Sequence, residues 1–196
     1  CIHTIYNGIE LQQADAEYQP KAQIHAVAIG RLVEVKGFLQ LIDAWQDIDA
    51  HLSIVCEGNQ RLELEHKIQH LGLTDKINLL GQRTDVAALL AQSDCLIISS
   101  FKEGGPITLA EALLTETPVL ATDVGMVSHF LPTDYICENN QPERMNALLK
   151  AKLRHREIMQ KELKQYFVHA KNALSFEQMV QQTEQLYTQL LKQKQD

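Results

Sequence analysis

Residues 94–122, DCLIISSFKEGGPITLAEALLTETPVLAT, decide the reading of this chain. An apolar run from Cys95 to Ile98 ends in Ser99-Ser100. An acid, two glycines and a proline follow: Glu103, Gly104, Gly105 and Pro106. A helix-like run with a second acid inside it, Glu111, comes next, and a new apolar run starts at Pro118-Val119. The order is strand, glycine-rich loop, helix, strand, which builds an anion and sugar site at the carboxyl end of a parallel sheet. Two glycines let the backbone approach a ligand closely. Proline suits the first helical position, and the free N–H groups of a helix start favour a negative group in front of it. A plain loop-to-helix turn explains one glycine better than two.

The same alternation runs outward in both directions. IHAVAIG (24–30), HLSIVCEG (51–58), KINLLG (76–81) and a short YIC run (135–137) read as further strands. KGFLQLIDAWQDI (36–48), LELEHKIQHLGL (62–73) and TDVAALLAQS (84–93) carry helical spacing. Gly72 fits a helix C-terminus, and Thr84-Asp85 reads as an N-cap. Alternating β and α elements with continuous apolar strands predict a Rossmann-like, doubly wound parallel sheet with helices on both faces. From Gln141 onward the chain turns polar, with helical periods over 142–170 and 174–193, so helices are appended at the C-terminus. The stripe Phe176, Met179, Val180, Leu186, Tyr187, Leu190 and Leu191 reads as a helix packed on the domain, or as a brace reaching a missing partner. The Gln-rich tail KQKQD is expected to fray.

Ligands in such sheets bind beyond the carboxyl ends of the strands. Arg31 follows a strand and Gly30, and Lys36 opens the next helix beside Gly37. A guanidinium fork and an ammonium both suit phosphate oxygens; two solvated surface cations are the alternative. Glu103 and Glu111 lie eight residues apart. Among Leu109, Ala110, Ala112, Leu113 and Leu114, a buried carboxylate at 111 needs partners, and sugar hydroxyls could serve. Taken alone, Glu111 reads equally as an acid on an exposed face. Gln82-Arg83-Thr84-Asp85 either contacts a base or is a capped helix start with a surface arginine.

Composition bounds the rest. A hydrophobic content of 45% and a charged content of 22% over 196 residues are ordinary for one large globular domain. A net charge of −7 argues against broad nucleic-acid binding. Cys1, Cys56, Cys95 and Cys137 are far apart and form no metal or disulfide pattern, so they read as buried or incidental thiols in a reducing compartment. The eight histidines make no ligand motif and read as surface residues, while Phe38 and Trp45 read as core. No metal site and no cofactor are expected. No apolar run of 18 residues occurs, so no membrane span is expected. The start, CIHTIYNGIELQ, reads like the middle of a protein whose upstream half is missing.

Together these segments resemble the donor-binding, C-terminal domain of the retaining group 1 glycosyltransferases, which have the GT-B fold. NGIE (7–10), AIGRLVEVKGFLQLIDA (28–44), LSIVCEG (52–58), EGGPITLAE (103–111), PVLATDVG (118–125) and SFEQMV…LY (175–187) carry the resemblance in order and spacing. It implies that residues 1–196 form one donor domain, with 174–196 as its closing helix and an acceptor domain upstream in the full-length chain. It implies a nucleotide-diphospho-sugar donor and sugar transfer with retention, to an acceptor such as a growing glycan or a lipid-linked saccharide. Gly30, Arg31 and Lys36 would meet the diphosphate, with Arg31, Lys36 and Glu103 as the catalytic set. Glu103, Gly104, Gly105, Pro106 and Ile107 would hold the sugar, Glu111 the ribose, and Gly58, Gln82, Arg83 and Val86 the base. No metal is needed in that scheme. The expected location is the cytoplasm, with any contact to the inner face of the membrane made through the missing half.

Three positions depart from the family pattern: Gly105 where an aromatic is frequent, Glu116-Thr117 before the Pro-Val strand, and Met126-Val127-Ser128-His129 where a Pro-Glu pair is usual. They bear on sugar identity and acceptor-side shape. Two other functions stay open: a nucleotide-sugar isomerase of the same architecture, and a non-catalytic nucleotide-sugar-binding module.

Overall fold

The computed structural model describes residues 4–10 and 22–193. Cys1, His3 and the last three residues of the KQKQD tail lie outside the described residues. The strands are β1 (His25–Ile29), β2 (His51–Val55), β3 (Ile77–Gly81), β4 (Cys95–Ile98), β5 (Val119–Thr122) and β6 (Ile136–Cys137). They pair in parallel in the order β3-β2-β1-β4-β5-β6. Strand order therefore reverses between β1 and β4, and that is where such sheets open a crevice at their carboxyl edge.

The helices explain the apolar strands. α1 (Phe38–Ala44) and α2 (Arg61–His70) follow β1 and β2, while α3 (Val86–Ala91), α4 (Ile107–Leu114) and α5 (Val127–Phe130) follow β3, β4 and β5. Right-handed crossovers travelling in opposite directions along the sheet put these two sets on opposite faces. Accordingly α1 packs on α2, and α4 packs on α3. Covered on both faces, β4 and β5 are buried at every residue. β3 lies at the sheet edge, where Asn78 and Leu80 stay exposed. Trp45 is fully buried and donates its indole N–H to Ala50 O at 3.0 Å, and Phe38 is buried beside it in the core. Gly72 has φ of +67° and ends the α2 segment as expected.

The C-terminal region departs from its simple periodic reading. Residues 142–170 are not one helix but belong to three, α6 (Pro142–Leu153), α7 (Arg156–Glu162) and α8 (Lys164–Ala173). His155 leaves helical geometry at φ −125° and ψ 40°, and buried Leu163 anchors the next turn. α9 (Phe176–Gln193) closes the chain. Its stripe is only partly covered: Met179, Val180 and Leu186 are half-buried, while Phe176, Tyr187, Leu190 and Leu191 are exposed. The segment 4–10 docks beside the start of α9, where Ile9 N–H donates to Leu174 O at 3.0 Å and Tyr6 meets Phe130 edge-on at 5.2 Å.

Candidate nucleotide-sugar site

All strands are parallel, so the loops that follow β1, β2, β3 and β4 emerge on one edge. Gly30-Arg31, Gly58, Gln82-Arg83 and Glu103 to Gly105 stand in those loops. Backbone hydrogen bonds sew the loops together. Gly30 N–H donates to Val55 O at 3.1 Å, Leu32 N–H to Glu57 O at 3.0 Å, and Cys56 N–H to Gly81 O at 2.8 Å. Across the switch point, Phe101 N–H donates to Val35 O at 2.8 Å. Gly58 is needed for contact, because a β-carbon there would run into the Leu32 backbone.

The centre of the edge is an ion pair. Lys36 Nζ donates to Glu103 Oε1, joining the loop after β1 to the loop after β4. Ser100 Oγ donates to the same carboxylate oxygen at 2.8 Å. Both charged groups are largely but not wholly buried, with side chains 21% and 16% exposed. The Lys36 stem lies over Gly30, whose added β-carbon would stand 3.1 Å from Lys36 Cε. Arg31 is exposed and has no carboxylate partner among the described residues. A paired ammonium and an unpaired guanidinium carried on the same loop after β1 are suited to receive phosphate oxygens.

The glycine loop is open on one side and supported on the other. A β-carbon on Gly104 would meet nothing within 4 Å, and one on Gly105 would meet only Met126 Sδ, at 3.5 Å. Behind the loop stands Gly125, at φ +57°, whose β-carbon would come within 2.5 Å of Gly104 O and 3.0 Å of Glu103 O. Pro106 is buried in extended geometry, ψ 116°, as the N-cap of α4 and not as its first helical residue. The loop, Ile107, Ala110, Met126 and residues 4–7 and 9 enclose a cavity of about 240 Å³.

Glu111 stands in the second turn of α4, partly buried, and its carboxylate has no hydrogen-bond or ion-pair partner among the described residues. Desolvation there pushes its carboxyl above the ordinary value of 4.5. No hydrogen bond or ion pair joins it to Lys36 or Glu103. At the far side of the edge, Arg83 turns onto Asp85 at 2.7 Å, both exposed, which holds Asp85 below the usual carboxylate range. Asp85 thus spends its carboxylate on Arg83 and makes no side-chain cap for α3. Val86 opens that helix half-buried, and Gln82 is exposed.

Residues 12–174 match the family described as Glycosyl transferases group 1. The chain belongs to that family. N-acetyl-alpha-D-glucosaminyl L-malate synthase of Bacillus anthracis is 26% identical over 97% of this chain and 54% of that protein. An uncharacterized glycosyltransferase of Methanocaldococcus jannaschii is 26% identical over 95% of this chain and 53% of its own length. The group 1 chain described here thus spans about half the length of these curated relatives. Among solved structures, a TarM variant of S. aureus in complex with Fondaparinux, alpha-GlcNAc-glycerol and UDP superposes with a TM-score of 0.82. It is 19% identical, over 94% of this chain and 39% of that one. Anabaena HepE in complex with UDP-glucose gives a TM-score of 0.79 at 21% identity, over 85% of this chain and 49% of that one. These likenesses carry the GT-B glycosyltransferase fold.

Several supporting residues escaped the sequence reading. Ser100 bonds the Glu103 carboxylate, Ser99 Oγ donates to Lys36 O at 2.8 Å, and Gly125 backs the glycine loop. The two serines stood in the decisive segment, immediately after an apolar strand, and buried polar groups at a strand end need partners. That signal was available. Among the described residues no group of three or more His, Cys, Asp or Glu is placed to hold a metal, and no helix is long and apolar enough to cross a membrane.

Proposed function

We propose that this chain is the donor-binding half of a retaining glycosyltransferase and that its crevice holds a nucleotide-diphospho-sugar. The observation that carries the reading is the Lys36–Glu103–Ser100 cluster at the β1/β4 switch point, beside open glycines and the start of α4. Arg31 and Lys36 meet the diphosphate over Gly30. As the glycosidic bond to phosphate breaks, negative charge builds on the leaving diphosphate, and fixed cations lower that barrier without any metal. Glu103, with the backbone of Gly104 to Ile107, accepts and donates hydrogen bonds to sugar hydroxyls. Glu111 accepts from the ribose hydroxyls and so gains the partners that it lacks in the free chain. Gly58, Gln82, Arg83 and Val86 face the base.

Membership of the family, the printed names of its relatives and the nucleotide complexes of TarM and HepE support this reading. Transfer itself needs an acceptor site, which we place in a domain upstream of residue 1. This chain alone therefore binds the donor and turns nothing over. The test is calorimetry with UDP, GDP and ADP and their sugars. One series binds the chain, and Glu111→Ala weakens it. Absence of binding by all of them at millimolar concentration would remove the proposal.

A further inference from the structure

Asn140 lies in the loop between β6 and α6, far along the chain from every residue assigned a role above. It is buried, 6% exposed. Its Nδ2 donates to Ser99 O at the end of β4 and to Gly37 O at 3.2 Å. Both neighbours are carbonyl oxygens, so the amide can point only one way: the NH2 faces them and Oδ1 faces elsewhere. Oδ1 is buried and has no hydrogen-bond partner. Burying an unpaired amide oxygen costs free energy, and the two donated bonds offset that cost.

What they hold is the turn that carries Lys36. Gly37 has φ +66° and its carbonyl is fixed by Asn140, while Ser99 Oγ fixes the carbonyl of Lys36 itself at 2.8 Å. A β-carbon at position 37 would collide with the Asn140 amide and with Ser99 O, so the glycine and the asparagine fit only as a pair. The route from the sheet's far edge is rigid, because α6 packs along α1 and Asn146 Nδ2 donates to Ala44 O at 2.6 Å. We infer that Asn140 is a positioning residue: it clamps the Lys36–Gly37 turn onto the end of β4 and thereby aims the Lys36 ammonium at the diphosphate. The inference rests on the proposed donor site.

The experiment is a double-mutant cycle on Lys36→Ala and Asn140→Ala, read by calorimetry with UDP and UMP, or with the diphosphate and monophosphate of whichever base binds the parent chain. Lys36→Ala should weaken the diphosphate by about 10-fold, the size of one charge-assisted hydrogen bond. Asn140→Ala should weaken it by several-fold in the parent, by less than about 2-fold once Lys36 is gone, and should leave the monophosphate unmoved. Equal penalties in both backgrounds, or equal penalties on both nucleotides, would overturn the inference while leaving the donor site standing. Failure of every diphosphate to bind the parent chain would take down both. Asn140→Ser is the milder substitution if the alanine variant does not fold. Hydrogen exchange gives a readout free of ligand: the amides of Lys36 and Gly37, which bond Val33 O and Glu34 O, should exchange faster in either variant while α6 keeps its protection. Unchanged exchange at both amides would also refute the clamp.

Discussion

Gly125→Ala tests whether the β5–α5 turn sets the position of the glycine loop. Two costs can be worked from the structure. Gly125 sits at φ +57°, and an alanine in left-handed geometry costs about 1–2 kcal/mol. The new methyl would lie 2.5 Å from Gly104 O, so the loop must retreat by about 0.9 Å to reach the 3.4 Å of ordinary contact. Overpacking of this kind costs about 1–3 kcal/mol. Taking about 3 kcal/mol in all, a domain of this size should melt lower by about 6–12 °C. Circular dichroism on the parent and the variant measures that. The same retreat moves the Glu103–Gly104 peptide, and a displacement near 1 Å in a binding loop can cost up to about 100-fold. Affinity for the nucleotide sugar should therefore fall toward that of the bare diphosphate, whose own affinity should hold. A variant that melts with the parent, or that loses diphosphate and sugar nucleotide alike, would refute the reasoning.

Three further outcomes are expected. Gly104→Ala has open space for its methyl and should melt within error of the parent in the same scan, yet it should weaken the sugar nucleotide in calorimetry because that space is where the sugar sits. Glu111→Gln removes a carboxylate whose burial raises its pKa. A raised folded value means that the parent loses stability as pH rises from the ordinary carboxylate value through the folded one, so the glutamine variant should gain melting temperature over the parent as pH rises above the ordinary value of 4.5 and show no gain below it. It should also bind nucleotide more weakly, and a flat difference across pH would contradict the desolvation argument. The Cys95 thiol is fully buried and pushed far above its ordinary value by that burial, so in the native chain a thiol reagent should modify half-exposed Cys56 and leave Cys95 intact until denaturant is added.

The sheet was legible because each strand is short, largely apolar and followed within a few residues by polar or glycine residues, and because burial on both faces removes alternation from β4 and β5. The order β3-β2-β1-β4-β5-β6 was not, since nothing in a single strand's sequence names its neighbour. Helix boundaries failed where tertiary contacts overrode periodicity. The run 142–170 kept its period while bending at His155 and again near Leu163, where the buried leucine serves both core and turn. Thr84-Asp85 had the composition of a cap, but Arg83 stood within reach and took the carboxylate. In the site, Glu103 was read in the loop before α4 and meets Lys36, but Lys36 does not open α1 as expected: it ends a 3-10 turn, Glu34–Lys36, that Gly37 at φ +66° separates from the helix. Glu111 was placed correctly on α4, half-buried, but its missing partners are visible only in three dimensions. The roles of Asn140 and Gly125 left no local trace, because they depend on loops 21 to 103 residues away in the chain.

The most direct measurement of the central claim is calorimetric titration of the chain and of its Lys36→Ala variant with UDP, GDP and ADP. If the β1/β4 crevice grips a diphosphate, at least one of the three binds the parent chain, and loss of the ammonium weakens it by about 10-fold or more. Binding by none of them, or binding indifferent to Lys36, would contradict the account.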